Sequence, residues 1–155
     1  MKSSPQLKPA VSLSSADYLT QRLKEAYLSF DSAEMAQVES LYTDDVYFED
    51  PSQAVQGKSE LIRYLQKKLR GTARCGFKFH STMNDGADVF LTWTMFLNHP
   101  KLSRGETVRI EGSSNLKTRN GKIYYQRDYF DMSAILDEKS LVFVKITRSL
   151  KKRLS

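Results

Sequence analysis

The chain has one cysteine, Cys75, in 155 residues. A disulfide within the chain is excluded, and a cysteine-based metal site is not expected. Cys75 lies in the strand-like stretch CGFKFH and reads as a small core hydrophobe. There is no long apolar run: LVFV at 141–144 is far too short to cross a bilayer. The N-terminal stretch MKSSPQLKPAVSLSSA lacks a continuous apolar segment, so it does not read as a signal peptide. A cytoplasmic location is the resulting expectation. Only two histidines occur, His80 and His99, and no ligand-like spacing joins them to other donors. No metal and no cofactor is expected.

Acidic residues are missing from one region. From Lys139 onward there are six basic residues and no acid, which leaves 18 basic against 18 acidic residues upstream. The net charge of +6 therefore belongs to the C-terminal end. A nucleic-acid-binding body would carry a basic face across the fold, so no nucleic-acid partner is expected. On a helix, Val142, Phe143, Ile146, Leu150 and Leu154 would gather opposite Lys145, Arg148, Lys151 and Lys152. That pattern suits an anionic membrane surface or a partner groove, or a helix or strand docked on the chain's own sheet.

The remaining sequence changes period midway. Ser14 and Asp17 form an S-x-x-D start, followed by Leu19, Leu23, Ala26, Tyr27 and Phe30 at helical spacing. A second short helix fits 33–42, and a strand VYFED ends at Pro51. A third helix fits 59–69, with Gly71 after it. Segments 75–83, 87–98, 105–118 and 122–133 read as strands, with turn signals at Asn84-Asp85-Gly86 and Asn120-Gly121. Helices followed by such strands predict an α+β fold, one curved sheet closing over the helices as a cone with a pocket at its mouth. The expected organisation is a flexible lead over 1–14, the cone domain over 15–133 and a basic amphipathic extension over 134–155.

Strand parity assigns an inward face to each strand. Trp93 and Met95 face inward with Val89 and Leu91, Ser114 with Ile110 and Leu116, and Gln126 and Asp128 with Tyr124, Phe130 and Met132. Ile123, Tyr125 and Arg127 take the outer face, and Asp50 points inward with Val46 and Phe48. Two carboxylates, Asp50 and Asp128, are thus expected in one apolar cavity, where desolvation would raise their pKa values. Raised carboxyl pKa values suit acid–base chemistry near neutral pH. Alternatively, Asp50 is a turn residue ahead of Pro51 and Asp128 a structural acceptor.

The segments LYTDDVYFEDP, QGKSELIRYL and GKIYYQRDYFDM resemble the nuclear-transport-factor-like cone fold, in its SnoaL-like, ketosteroid isomerase and limonene epoxide hydrolase branches. The resemblance covers roughly residues 15–133. It implies a small hydrophobic ligand, lipid- or polyketide-like, and a homodimer through the outer sheet face. It sets Asp50 at the position of the isomerase base and Asp128 at that of one hydrolase carboxylate. The isomerase oxyanion-hole positions fall near Ala26 and Tyr27 and near Ser113 and Ser114. The hydrolase Arg and Asp partners fall at Trp93 and Met95. Where a SnoaL-like cyclase often has a histidine, this chain offers Gln126. Asp128 and Asp50 are therefore the candidate catalytic pair, with Phe48, Trp93, Met95, Ser114, Gln126 and Tyr27 lining the pocket. The chemistry expected is an isomerase-, cyclase- or hydratase-type step. A non-catalytic binding module on the same fold is the competing expectation.

Overall fold

A computed structural model describes residues 13–28, 30 and 35–135. The expected lead over 1–14, apart from its last two residues, and the basic extension after 135 lie outside the described residues. The first helix, α1 (Ser15–Leu28), starts as its sequence predicts. The Ser14 backbone N–H and hydroxyl both donate to Asp17 Oδ2, and Asp17 N–H donates back to Ser14 Oγ. Its buried face, with Leu19, Leu23, Ala26 and Tyr27, continues to Phe30. α2 (Met35–Ser40) ends two residues before its predicted end. Leu41 closes it through its N–H to the Val38 carbonyl, and the Leu41 carbonyl then accepts from the Ile123 N–H. That long-range bond draws Tyr42 out of the predicted helix and into β1 (Tyr42–Glu49).

A short β2 (Ala54–Gln56), which no sequence period announces, pairs back on β1. Then come α3 (Lys58–Leu69), β3 (Arg74–Asn84), β4 (Asp88–Asn98), β5 (Thr107–Arg119) and β6 (Lys122–Phe130). The six strands form one sheet in the order β2-β1-β6-β5-β4-β3. All pairings are antiparallel except β1 with β6. The Asn120-Gly121 turn joining β5 to β6 has positive φ at both residues, 52° and 70°, as the tightest hairpins require.

The inner sheet face packs on α1 and α3 through one core that includes Leu23, Tyr42, Val46, Leu61, Leu91 and Leu116. Gly112 creates a deliberate gap in this face. It stands between Trp93 on β4 and Phe130 on β6, and a Cβ there would lie 2.3 Å from the indole. Without that Cβ the two rings approach to 6.0 Å between centroids.

One parity expectation is corrected. The register slips between Lys117 and Thr118, so Lys117 opposes Tyr125 while Thr118 opposes Ile123. Tyr124 is the extra residue, and such a bulge exchanges the faces on either side of it. Ile123, expected outside, is fully buried, and Tyr124 lies half-buried under the Arg119 guanidinium. Downstream of the bulge, Gln126, Asp128 and Phe130 keep the predicted inner face. On the outer face Arg109 pairs with Glu111 and Arg127 with Glu49.

Candidate functional site

The parallel ladder of β1 and β6 brings the two carboxyls together. Phe48 opposes Gln126 and Glu49 opposes Arg127. Carried on by one residue, that register sets Asp50 level with Asp128, although they are 78 positions apart in the chain. Neighbouring strands are about 5 Å apart. The Asp50 charge therefore acts on Asp128.

Asp128 ends two converging hydrogen-bond chains. In one, the Trp93 indole N–H donates to Ser114 Oγ at 2.8 Å, and the Ser114 hydroxyl donates to Asp128 Oδ1 at 2.6 Å. In the other, the Tyr27 hydroxyl meets that of Tyr42 at 2.9 Å. Tyr42 donates to Gln126 Oε1 at 2.8 Å, and Gln126 Nε2 donates to Asp128 Oδ1 at 2.9 Å. Tyr42 spends its one proton on Gln126, so Tyr27 is the donor between the tyrosines. Burial holds both phenols in their neutral form by raising their pKa values. Both chains reach Oδ1, and among the described residues none reaches Oδ2. Asp128 keeps some accessible surface while protein atoms crowd its carboxyl. That desolvation raises its pKa to about 6. The Ser114 and Gln126 hydrogen bonds work against the rise, Asp50 adds to it and Lys68 subtracts from it.

Asp50 is buried, with 2% of its side chain exposed, yet it behaves oppositely. Ser52 donates to Oδ1 through its N–H (2.8 Å) and hydroxyl (2.6 Å), and Gln53 N–H adds a third bond at 3.2 Å. The Tyr64 hydroxyl reaches both oxygens, at 2.9 and 2.7 Å. Lys68 Nζ forms an ion pair with Oδ2. Burial by itself pushes this carboxyl up, but the Lys68 charge and the donors outweigh it and hold the pKa below the usual range. The expectation of two raised carboxyls is thus corrected: Asp128 is raised and Asp50 is lowered. The difference is a direct ion pair with Lys68 and a larger set of donors on both oxygens at Asp50, against two neutral donors on one oxygen and a weaker Lys68 influence at Asp128.

The other expected pocket residues divide into two groups. Ser114 and Gln126 are the direct partners of Asp128, and Tyr27 stands two hydrogen bonds behind Gln126. Trp93 is both a wall and a donor. Phe48 is buried, its ring 6.0 Å from that of Tyr64, and Met95 is half-buried opposite Ile110 and Phe77. A pocket of about 120 Å³ between α1 and α2, lined by Arg22, Glu25, Gln37, Ser40 and Leu41, contains none of these residues. His80 bonds the Thr94 hydroxyl at 2.7 Å, and His99 accepts from the Lys101 N–H; neither histidine bonds Asp128. Among the described residues no cluster of His, Cys, Asp or Glu could hold a metal ion, and no helix is long and apolar enough to cross a membrane.

Residue-by-residue reading of the sequence missed Lys68, Tyr64, Ser52 and Tyr42. For two of them a signal existed. Leu61, Tyr64, Leu65 and Lys68 follow i, i+3, i+4, i+7, which puts Lys68 on the buried face of α3.

A model of the SnoaL-like domain family matches residues 23–126. No curated protein matches the chain. Solved structures similar to it include an LEH-like epoxide hydrolase of M. tuberculosis. It is 22% identical with a TM-score of 0.61, over 90% of this chain and 95% of that one. A protein of Jannaschia sp. CCS1 assigned as a SnoaL-like polyketide cyclase is 16% identical with a TM-score of 0.67, over 78% and 91% of the two chains. A Catenulispora acidiphila DSM 44928 protein with a ketosteroid isomerase-like fold, in complex with trimethylamine, is 12% identical. Its TM-score is 0.67, over 76% of this chain and 88% of that one. At these identities the likeness is one of fold, the nuclear-transport-factor-like cone.

Proposed function

We propose, from the premise that this chain belongs to the SnoaL-like domain family, that its inner sheet face binds a largely apolar small molecule and that Asp128 exchanges a proton with it. One observation carries this reading. Asp128 has its pKa raised to about 6, is held among the described residues through Oδ1 alone, and shares an inner face with Trp93 and Phe130. Such a carboxyl gives a proton from Oδ2 at slightly acidic pH and takes one there above about pH 6. Both halves of an isomerisation, ring closure or water addition are open to it. Asp50, ionised and fully engaged, serves as the fixed counter-ion that holds Lys68 beside the site. Phe48, Met95 and Tyr27 support the wall. The chemistry needs no cofactor in this reading.

The test uses two neutral probes. Wild type and Asp128→Asn should both bind Nile red. Wild type alone should accelerate α-proton exchange of 2-tetralone in D2O, with a rate that climbs through about pH 6. Equal exchange by the two proteins would leave a binding module without acid–base chemistry. Failure of both to bind Nile red would remove the apolar site itself. The outer face, where Phe90, Phe96 and Tyr129 are exposed, is the proposed homodimer surface. Sedimentation equilibrium of Phe96→Glu should then give a monomer. Association of the basic extension with anionic vesicles is proposed separately and is tested by removing residues after Lys139.

A further inference from the structure

We infer that the ligand of this site carries an anionic oxygen, a carboxylate or phenolate, on its apolar body, and that Lys68 receives it. The inference rests on the reading above that the inner face is a ligand site. Lys68 stands where such an oxygen would arrive. Its ammonium pairs with Asp50 and lies 4.8 Å from the Tyr64 ring centroid and 5.7 Å from that of Phe130, the ring two residues beyond Asp128. Its side chain is 37% exposed while that of its partner Asp50 is 2% exposed. The lysine is therefore the solvent-accessible member of the pair and the carboxylate the buried one. An ammonium has three N–H donors, and Asp50 takes one of them. Asp50 also has Ser52, Gln53 and Tyr64 as donors, so Lys68 can turn part of its field toward a second anion.

The surface around this end of the fold points the same way. The C-terminal turn of α3, the start of β3 and the β4–β5 loop are fastened together. Ala73 N–H donates to the Asn98 carbonyl, Asn98 Nδ2 donates to the Gly105 carbonyl, and the His99 ring lies 3.0 Å from where a Gly71 Cβ would be. Lys67, Arg70, Arg74, Lys101 and Arg104 lie on or next to these joined segments, at the end of α3 that carries Lys68, and all are exposed. None forms an ion pair among the described residues, and Glu106 is the one acid of that loop. On the sheet, Arg109, Lys117, Arg119 and Arg127 each have an acidic partner, while Lys78 and Lys122 have none among the described residues. A rim of unpaired positive charge raises the local concentration of anions and speeds their arrival, and does neither for a neutral molecule.

The experiment compares carboxylates from benzoate through 2-naphthoate to dodecanoate with their methyl esters, on the full chain at pH 7. The acids should bind about tenfold more tightly than the esters, the scale of one charge-assisted hydrogen bond. Lys68→Met should erase that preference and Lys68→Arg should retain it. The double variant Lys101→Glu/Arg104→Glu should slow association of the acids severalfold at 50 mM salt and much less at 500 mM, with the esters unaffected. Should Lys68→Met fail to fold, the double variant decides: an unchanged association rate for the acids overturns the inference. Esters binding as tightly as acids overturn it too, yet leave the apolar-site reading standing. Absence of binding by every acid and ester overturns both.

Discussion

Replacing Asp128 with Asn deletes the ionisable group and preserves the acceptor, Oδ1, that Ser114 and Gln126 use. The carboxyl is raised from an ordinary 3.8 to about 6. Between those pH values the folded chain holds a proton that the unfolded chain has released. The stability linked to this group is therefore complete below about pH 4, declines as pH rises through about 6, and stays low above it. A rise of about two pH units corresponds to about 3 kcal/mol at pH 7. Asn is neutral throughout. The variant should match wild type near pH 4 and exceed it by up to about 3 kcal/mol at pH 7, less any loss from its new amide N–H groups. Urea unfolding at several pH values gives the difference between the two proteins. Titrating groups that do not interact with Asp128 cancel in that difference, and what remains is Asp128 with its coupling to Asp50 and Lys68. Trp93, the chain's single tryptophan, provides the signal from within the network itself. A variant less stable than wild type at pH 7, with an unchanged pH profile, would refute the reasoning.

Three further outcomes follow from the same geometry. Lys68→Met strands the buried Asp50 charge, so it should lower stability by about 2 kcal/mol in urea unfolding, discounted for the exposure of Lys68. Adding Asp50→Asn should recover much of that loss. Ser114→Ala removes a hydrogen bond that favours the ionised carboxyl, so the Asp128 midpoint should move above 6, and Trp93 fluorescence should change as its indole loses an acceptor. Gly112→Ala drives a methyl into the Trp93 ring, and calorimetry should show a loss of about 1–3 kcal/mol with the Trp93–Phe130 contact opened.

The sequence spoke most clearly where a single local rule decides the outcome. The Ser14/Asp17 start, the apolar faces of α1 and α3 and the Asn120-Gly121 hairpin were all legible, because each depends on neighbours within one turn or one strand. The inward placement of Trp93, Ser114, Gln126 and Asp128 followed from period two. That rule failed at Ile123, since a bulge at Tyr124 inverts the faces and leaves no mark in composition. β2 was silent for a related reason: three residues are too few to establish a period. Lys68 was legible in principle at its helical spacing, but a lysine on an apolar face normally sends its charge to solvent. The Tyr27–Tyr42–Gln126 chain was beyond reach. It joins residues 84 positions apart, and its existence depends on Tyr42 leaving a predicted helix for β1.

The site's asymmetry belongs to that tertiary level. Asp50 and Asp128 look alike in sequence, both on apolar strand faces. Their proton affinities diverge because α3 brings Lys68 and Tyr64 to one of them, while β5 and β6 give the other two neutral donors on a single oxygen.

A titration of side-chain carboxyl carbons by NMR addresses this divergence most directly. One aspartate resonance should titrate with a midpoint near 6 and be missing from the Asp128→Asn spectrum. If every aspartate in the protein titrates below about 4.5, in the range of ordinary carboxylates, then Asp128 is no proton carrier and the proposed chemistry is wrong.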